Sequence, residues 1–365
     1  MKKVGLLGGS FDPIHIGHMS IVQEAIKQFD LDEFYFIPTG MNPWKDCTHA
    51  SNEERIDMLK IAISKMKSKK KIGIEMYEIK HCEEKNYTYQ TLKHLVKKHP
   101  KIKYYYFMGY DQLDKFHLWK KPKKLSRLVS LVCFKRGGYE FNEDNFKKYH
   151  FHKLKHHALK ASSSEIREGN LSLLDKDVLK YISKNGLYLE TMIKNRMKEK
   201  RYQHSLSVAS LAKEIADENG LDGQKAYIAG ILHDVAKEMK HEDALRLMKR
   251  NYPQFVNKPE PIWHQWLSAY VSHYEFLVED EGILKAIEDH TTASPSISKL
   301  GMCLYVADKL DPLRGYDSSK DIELCKKNIV EGFKQSLISF YQFSKSKNRE
   351  IDPCFFDVYN HFVKG

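Results

Sequence analysis

A glycine pair and two histidines lie close together near the start of the chain, in the order Gly8-Gly9-Ser10-Phe11-Asp12-Pro13-Ile14-His15-Ile16-Gly17-His18. Glycine has no Cβ, so the backbone amides of this segment can approach an anion closely. His15 and His18 are three residues apart and share one side of the first turn of a helix predicted after Pro13. Two imidazoles beside a helix N-terminus are suited to the charge that develops during phosphoryl transfer.

Short apolar runs predict the elements that position these residues. Val4–Leu7, Phe34–Ile37 and Tyr104–Met108 are typical of buried parallel strands. A helix is predicted from Met19 to Phe29. Strands alternate with helical segments in the first half, which predicts an α/β fold with a Rossmann-like, doubly wound parallel sheet.

The glycine and histidine segment resembles the signature of the nucleotidyltransferase superfamily, and Gly8-Gly9-Ser10-Phe11-Asp12-Pro13 resembles the bacterial nicotinate mononucleotide adenylyltransferases. Further similar segments are Asn42-Pro43-Trp44-Lys45, Asn86-Tyr87-Thr88-Tyr89-Gln90-Thr91, Gly109-Tyr110-Asp111, Trp119, Arg136 and Ser162-Ser163-Ser164-Glu165-Ile166-Arg167. Three segments depart from the family pattern. Tyr110 replaces a small residue, Ser164 replaces the usual threonine, and Gly137-Gly138 replaces the usual Pro-Gly after Arg136.

This resemblance implies transfer of an adenylyl group from ATP to nicotinate mononucleotide in NAD biosynthesis, with Mg²⁺ and release of pyrophosphate. It implies catalytic roles for His15, His18, Lys45 and Arg167. It implies substrate contacts at Gly8, Gly9, Ser10, Phe11, Asn42, Thr88, Gly109, Asp111, Trp119, Arg136, Ser163, Ser164 and Ile166. Nicotinamide mononucleotide, or another acceptor, stays open as an alternative because loop details decide between them.

The second half has helical periodicity almost throughout, and polar side chains fall on otherwise apolar helix faces. These side chains are His204, His233, His290 and Asp308. A single histidine in such a place is usually a hydrogen-bonded core residue, but several together predict convergence on a metal. Mixed nitrogen and oxygen ligands suit iron, manganese or a similar divalent ion.

The order of these residues resembles the HD-domain phosphohydrolases, through Arg201-x-x-His204, His233-Asp234-x-Ala236-Lys237, Asp289-His290-Thr291 and Ala307-Asp308. The segment from Ala307 to Arg314 is similar to the bacterial subfamily that splits diadenosine tetraphosphate into two ADP. The resemblance implies an all-α domain whose metal ligands are His204, His233, Asp234, His264, His290 and Asp308. It also implies catalytic roles for Asp234 and Lys237, and substrate contacts at Thr291 and Arg314.

Two residues depart from the pattern of this second family. Gln265 follows His264 where glycine is usual, and Ala293 replaces another common glycine. The second half could bind one ion or an ion pair.

The substrate of the second half could be a dinucleoside polyphosphate, guanosine tetraphosphate or another nucleotide. A non-catalytic domain that senses a nucleotide stays open as an alternative.

Length and composition predict two domains, residues 1–190 and 191–365. The net charge of +12 comes entirely from the first half, which suits polyanionic substrates such as ATP. No nucleic-acid-binding motif accompanies the lysine runs, so the sequence does not favour nucleic acid as a partner. It gives no indication of the oligomeric state.

Cysteine usage and hydropathy predict a cytoplasmic protein that does not enter membranes. The cysteines are scattered without a CxxC pair, at Cys47, Cys82, Cys133, Cys303, Cys325 and Cys354. No apolar run approaches membrane-spanning length. The tail from Ile322 to Val363 predicts two further amphipathic helices.

Overall fold

The computed structural model describes residues 1–40, 48–82, 87–155 and 161–365, which form two compact units. The first unit contains Met1–Ile166 and Ser172–Val178, and the second contains Arg167–Leu171 and Leu179–Gly365. The chain therefore crosses between the units more than once. A functional boundary near residue 190 stays a prediction.

In the described part of the first unit, strands and helices alternate as the sequence predicts. The strands are β1 (Lys2–Gly9), β2 (Glu33–Pro38), β3 (Lys71–Ile74), β4 (Ile102–Gly109), β5 (Ser130–Phe134) and β6 (His152–Leu154). The helices are α1 (Ile16–Phe29), α2 (Asn52–Lys65), α3 (Tyr77–Lys80), α4 (Thr88–Lys98), α5 (Tyr110–Asp114), α6 (Pro122–Leu128) and α7 (Glu143–Lys148). Helix α8 (Ser163–Arg167) follows at the boundary between the units.

The described strands form one parallel sheet in the order β3-β2-β1-β4-β5-β6, which confirms the predicted α/β fold. Phe34, Phe36 and Phe107 are fully buried, as expected of strands covered on both faces. The chain leaves β1 towards β2 and later returns to β4 on the other side of β1. The carboxyl ends of β1 and β4 therefore form the crevice where doubly wound sheets bind ligands.

Helix α1 begins at Ile16, so the start predicted at Met19 is wrong. His15 has an extended backbone with φ of −147° and is the N-cap residue. The helix therefore includes the glycine between the two histidines, and both imidazoles belong to its first turn.

Helix α9 (Lys176–Asn185) lies across the boundary between the units, because its residues from Leu179 onward belong to the second one. Ile182 is fully buried. The Ser183 hydroxyl donates a hydrogen bond to the carbonyl of Phe276. This half of α9 is thus part of the helical core that follows.

The rest of the second unit is helical, as predicted. Its helices are α10 (Leu189–Lys194), α11 (Glu199–Glu218), α12 (Gly223–Leu232), α13 (His241–Asn251), α14 (His264–Tyr274), α15 (Glu281–Asp289), α16 (Lys299–Leu310), α17 (Ser319–Lys327), α18 (Ile329–Ser346) and α19 (Pro353–Tyr359). Across the described ranges, no helix combines the length and the apolar character needed to cross a membrane.

The tail contains three of these helices, so the prediction of two is wrong. Asn328 ends α17, and its side chain then accepts hydrogen bonds from the backbone N–H groups of Val330 and Glu331. Asp352 caps α19 in the same way. These capping side chains divide a stretch whose hydrophobic period alone looks continuous.

Helices α11 and α12 pack unusually closely, and this contact brings two candidate ligands together. A Cβ placed on Gly230 would lie 2.4 Å from the Cα of Ala209. The rings of His204, on α11, and His233, directly after α12, consequently have centroids only 5.4 Å apart. Small residues at this crossing thus set the geometry of the site in the second unit.

Replacing Gly230 with alanine should lower the free energy of unfolding of the second unit by about 1–3 kcal/mol, because the added methyl group overpacks the crossing of α11 and α12. Thermal unfolding of the purified variant measures this. Gly282→Ala is the matched control, since its added Cβ would meet the side-chain end of Asp280 at 3.0 Å. Equal stability of the two variants would contradict the proposed close crossing.

Candidate functional site

The first candidate site lies where β1 and β4 end side by side. β1 ends in Gly8 and Gly9, and β4 ends in Gly109. A Cβ on Gly8 would lie 2.3 Å from the Tyr106 hydroxyl oxygen, and a Cβ on Gly109 would lie 2.3 Å from Asp111 Oδ1. These positions exclude a side chain, so the backbone stays accessible to a bound phosphate.

His15 and His18 face each other at the start of α1, with ring centroids 3.7 Å apart. The backbone N–H of His15 donates to Nδ1 of His18 at 3.3 Å, so a neutral His18 carries its hydrogen on Nε2. Both ring nitrogens of His15 are buried and lack a hydrogen-bond partner among the described residues. The pair can therefore donate hydrogen bonds to a ligand at this helix start.

Both imidazoles are neutral near pH 7. Burial, followed by the positive charge of Arg136, lowers the pKa of His15 to about 3. Burial likewise lowers the pKa of His18 well below its ordinary value, and His15 and Arg136 lower it further. The neutral rings can donate hydrogen bonds to a phosphate. A bound phosphate would in turn raise the pKa of both histidines, because its negative charge favours the protonated form.

A second helix start packs against this one. The Ser163 hydroxyl donates to the carbonyl oxygen of Pro13 at 2.9 Å. A Cβ on Gly17 would lie 3.1 Å from the Cβ of Ala161. Ser164 and Arg167 follow on the same short helix. The serine-rich segment that the sequence connects with phosphate thus begins beside the histidine pair.

The end of β4 supplies a carboxylate to the same crevice. Asp111 Oδ2 accepts from Arg136 Nη1 at 3.3 Å and from Gln112 Nε2 at 2.9 Å. Its other oxygen, Oδ1, is buried and has no hydrogen-bond partner among the described residues. Such an oxygen can accept a hydrogen bond from a ligand hydroxyl or amino group.

Thr88 and Trp119 both lie beside Tyr106. Thr88 is the first residue of α4 and shares a side-chain hydrogen bond with the Tyr106 phenol. The Trp119 ring is 6.3 Å from the Tyr106 ring, edge to face, and 5.3 Å from the ring of Phe116. The two residues predicted to enclose a pyridine base are therefore neighbours around one buried tyrosine.

Several predicted substrate contacts have buried side chains. Phe11 is 1% exposed and packs against His18 and Phe36, while Ile166 is fully buried. Their backbone groups remain as possible contacts. Tyr110, the departure from the family pattern, is 4% exposed within the hydrophobic core. Asn42 and Lys45 lie outside the described residues.

A buried arginine fastens the glycine segment to the neighbouring strand end. Arg55 is fully buried, and its Nη1 donates to the carbonyl of Ser10 at 2.6 Å. Its Nη2 donates to the carbonyl of Thr39 at 2.7 Å. The carboxylate of Asp12 accepts from the backbone N–H of His49 at 2.9 Å. These bonds join the loops that follow β1 and β2.

The second candidate site contains four histidines whose Nδ1 atoms all contact oxygen atoms. Three of these oxygens are backbone carbonyls, those of Gly230 for His233 (2.6 Å), Ile287 for His290 (2.6 Å) and Pro261 for His264 (2.8 Å). Nδ1 of His204 contacts the carboxylate of Asp311 at 2.5 Å. A carbonyl can only accept, so the rings of His233 and His290 carry a hydrogen on Nδ1 and direct Nε2 elsewhere. Nδ1 of His264 is also 2.8 Å from Lys237 Nζ.

Asp234 lies between two groups of possible ligands. Within the described residues, His204, His233 and Asp234 form one group of donor atoms within 4.8 Å of each other, and Asp234, His264 and His290 form another. Asp234 Oδ1 is 3.3 Å from His264 Nε2, while Asp234 Oδ2 pairs with Arg201. One carboxylate can thus serve both groups.

Charge in this site is distributed unevenly. Burial opposes ionisation of Asp234, yet His233 and the other histidines hold the pKa of its carboxyl well below the ordinary value. Burial lowers the pKa of His233 to about 4 and that of His264 to about 2. Burial also lowers the pKa of His204, but its bonds to Asp308 and Asp311 outweigh this effect and raise it.

The residues present fit a divalent metal. Nε2 of His233 is buried and has no hydrogen-bond partner within the described chain, although its ring is neutral and Nδ1 is satisfied. A lone pair in this state is what a metal ion requires of histidine. The mixture of imidazole and carboxylate donors suits a first-row transition ion.

Asp308 differs from the other predicted ligands because cations surround it. Its Oδ1 is 3.1 Å from His204 Nε2 and 2.7 Å from Arg314 Nη2, and its Oδ2 is 3.0 Å from Lys309 Nζ. It joins neither of the donor groups found among the described residues. The structure therefore places Asp308 at the edge of the site, next to His204.

Lys237 and Thr291 complete the surroundings of His264. Lys237 Nζ is 2.8 Å from His264 Nε2, and burial lowers the pKa of this lysine. Thr291 Oγ1 is 3.1 Å from the same nitrogen and 3.0 Å from His290 Nε2. Gln265 is fully buried and accepts from the backbone N–H of Thr292 at 3.2 Å. A phosphate in this region would meet both a cation and a hydroxyl.

Known proteins share both halves of this arrangement. A cytidylyltransferase-like family model matches residues 6–169, and an HD domain model matches residues 201–313. A probable nicotinate-nucleotide adenylyltransferase/Ap4A hydrolase from Mycoplasma genitalium is 33% identical over 346 residues, which cover 91% of this chain and 96% of that protein. The chain belongs to the nicotinate-nucleotide adenylyltransferase/Ap4A hydrolase family.

Some other relatives of this adenylyltransferase/hydrolase family member match one half of it. A probable nicotinate-nucleotide adenylyltransferase from Halalkalibacterium halodurans is 38% identical over 196 residues, covering 52% of this chain and 92% of that protein. A solved structure from Clostridium acetobutylicum, described as a predicted HD superfamily hydrolase involved in NAD metabolism, has a TM-score of 0.44 and 24% identity. It covers 48% of this chain and 95% of that one.

Several residues around the sites of this adenylyltransferase/hydrolase family member escaped the sequence reasoning. Arg201 and Asp311 lie inside recognised motifs, but the motifs do not predict which residues they contact. Tyr106 and Arg55 stand outside every motif. Arg201 could have been assigned from its position, because it precedes His204 by three residues and shares its helix face. The other three act across long sequence distances that no periodicity reveals.

Stability should fall more steeply on acidification in the wild type than in His15→Gln. The folded state keeps His15 neutral down to about pH 3, whereas the unfolded chain protonates it below about pH 6.5. The stability contributed by neutral His15 is therefore present above pH 6.5 and lost as the pH falls towards 3, by up to about 1.4 kcal/mol per pH unit. Denaturant unfolding from about pH 7 to about pH 5 measures this slope.

The exposed histidine variant His99→Gln provides the control for this titration. It should keep the slope of the wild type, because its ring is exposed in the folded state. An unchanged slope in His15→Gln would show that His15 is already protonated in the folded protein.

Proposed function

We propose that the first unit transfers the adenylyl group of ATP to nicotinate mononucleotide, giving nicotinate adenine dinucleotide and pyrophosphate. The observation that carries this proposal is the pair of neutral imidazoles beside the ends of β1 and β4, in which both ring nitrogens of His15 lack a hydrogen-bond partner among the described residues. The name of the Halalkalibacterium halodurans relative supports the same reaction. Nicotinate rather than nicotinamide as the base is part of the proposal.

In this reaction the 5′-phosphate of the mononucleotide attacks the α-phosphorus of ATP in line, and pyrophosphate leaves. His15 and His18 donate hydrogen bonds to the α- and β-phosphates, so they stabilise charge that increases in the transition state. Ser163, Ser164 and Arg167 bind the departing pyrophosphate. When bound with ATP, Mg²⁺ neutralises part of the phosphate charge.

The two nucleosides bind on either side of the phosphates. Asp111 Oδ1 accepts from the ATP nucleoside, and Arg136 stays paired with the same carboxylate. The pyridine ring lies between Thr88 and Trp119, where an aromatic side chain stacks on it. Lys45 and Asn42 bind the mononucleotide phosphate. The chain thus acts by positioning and by electrostatics, without a covalent intermediate.

We also propose that the second unit hydrolyses diadenosine tetraphosphate symmetrically to two molecules of ADP. The observation that carries this proposal is Asp234 between two groups of imidazole donors. One iron, manganese or similar ion would be held by His204, His233, Asp234 and Asp308. A second ion would be held by His264 and His290 together with Asp234. Such an ion, when bound, supplies Lewis acidity and lowers the pKa of water.

The remaining residues of this site act on the substrate. Lys237 and Arg314 bind phosphate oxygens, and Thr291 donates a hydrogen bond to them. Arg201 orients the Asp234 carboxylate through its ion pair. A cytoplasmic location and the domain limits 1–190 and 191–365 stay predictions beside this proposal.

His18→Ala should lower the rate of adenylyl transfer by roughly 10²–10³-fold, since one preorganised donor to a developing charge is typically worth that much. The assay follows formation of the dinucleotide from ATP with nicotinate mononucleotide, and in parallel with nicotinamide mononucleotide. His99→Ala, an exposed histidine of the same unit, is the control. A rate near that of the wild type in His18→Ala would remove this residue from the mechanism.

Asp234→Ala should abolish hydrolysis of diadenosine tetraphosphate and release bound metal, without affecting adenylyl transfer, because one carboxylate serves both donor groups. Chromatography identifies the products, and elemental analysis gives the metal content of the wild type and the variant. Asp243→Ala, on the surface of α13, is the matched control. AMP and ATP as products would contradict symmetrical cleavage, and unchanged metal in Asp234→Ala would contradict the ligand assignment.

A further inference from the structure

In each of the four histidines of the second site, Nδ1 contacts an acceptor, and these acceptors are of two kinds. His233 and His290 directly follow helices α12 and α15, and His264 is the first residue of α14. The Nδ1 atom of each contacts the carbonyl of the residue three positions earlier. Gly230 and Ile287 lie in the last turns of α12 and α15, where carbonyls lack the partner that a following turn would supply and can accept from a side chain. Ile287 also accepts from the backbone N–H of His290 at 3.4 Å.

His204 has no such carbonyl at its disposal. It lies inside α11, which continues from Glu199 to Glu218, where backbone carbonyls accept from the N–H groups of the following turn. Its ring must therefore find an acceptor on another element. That acceptor is the carboxylate of Asp311, which follows α16 and lies 2.5 Å from His204 Nδ1.

Asp311 is itself firmly oriented. Its side chain is buried, with 1% of the residue exposed. Oδ1 accepts from the Ser207 hydroxyl at 2.6 Å and from the backbone N–H of Leu313 at 3.1 Å, so Oδ2 is left to face His204. Ser207 is three residues after His204 on the same face of α11. The carboxylate thus joins one helix face to the turn that follows α16.

We infer that Asp311 is a positioning residue for the metal centre, which orients His204 through Nδ1 so that Nε2 faces Asp308 and the ligands around Asp234. This inference rests on the proposed function of the second unit. A carboxylate behind a ligating histidine fixes the orientation of the ring and increases its basicity. Asp311 therefore does for His204 what the backbone carbonyls do for the other three histidines.

A purely structural role for Asp311 makes a different prediction. Its bond to the N–H of Leu313 caps the short turn Pro312–Arg314, and loss of a cap lowers stability without changing metal affinity. Asp317 makes a comparable bond just before the N-cap residue of α17, because its carboxylate accepts from the backbone N–H and the hydroxyl of Ser319. Asp317→Ala is thus the matched control for a lost cap in the same segment.

The experiment measures Mn²⁺ binding by isothermal titration calorimetry on the full chain after removal of metal. Asp311→Asn and Asp311→Ala should bind Mn²⁺ about 10–100-fold more weakly than the wild type, which is the usual effect of removing a residue behind a metal ligand. The carboxamide oxygen of the asparagine variant can still accept from the ring, so Asp311→Asn should lose less affinity than Asp311→Ala. Ser207→Ala should show a smaller loss in the same direction.

The outcomes separate the inference from the proposed function. If the wild type binds no Mn²⁺ and contains no metal, the metal centre itself is contradicted. If the wild type binds Mn²⁺ and both folded Asp311 variants bind it equally well, the positioning role is overturned, and Asp311 is a cap like Asp317. Weaker binding in the Asp311 variants, with unchanged binding in Asp317→Ala, supports it. For diadenosine tetraphosphate at saturating Mn²⁺, kcat and KM should then return towards the wild-type values.

Discussion

Burial of neutral histidines is the constraint on which both candidate sites depend. When the protein occupies one nitrogen of a buried neutral imidazole, the tautomer is fixed and the other nitrogen is the one offered to a ligand. In the first unit the backbone N–H of His15 occupies Nδ1 of His18. In the second unit, carbonyls and one carboxylate occupy the Nδ1 atoms. The fold thereby selects which nitrogen reacts.

The sequence predicts what depends on short-range patterns. The apolar runs predict the strands of the parallel sheet, and the order of histidines and aspartates predicts that they converge. The acceptors behind those histidines depend on tertiary placement, as with Asp311, which is far from His204 in sequence but 2.5 Å from it in space. Arg55 and Tyr106 escaped for the same reason. The tail was misjudged because hydrophobic periodicity does not register a capping residue such as Asn328.

The charged groups of the two candidate sites suit ligands of opposite charge. Near the glycine loop, the neutral imidazoles stand beside the cation Arg136, and this balance leaves the crevice ready for an anion. Around Asp234, an ionised carboxylate lies beside the neutral rings of His233 and His264, and this arrangement suits a cation. Adenylyl transfer and metal-dependent hydrolysis both act on polyphosphates, yet the chain prepares for them with complementary charge.

The path of α9 between the units has a consequence for the newly made protein. The first unit contains all its residues once Val178 has left the ribosome. The second half of α9 cannot complete its contacts at that point, because the Ser183 hydroxyl bonds to the carbonyl of Phe276, which is 93 residues later in the chain. Ile182, on the same half of α9, is fully buried in the finished protein. Translation therefore passes through a stage in which the second half of α9 has not yet met a partner on which its final packing depends.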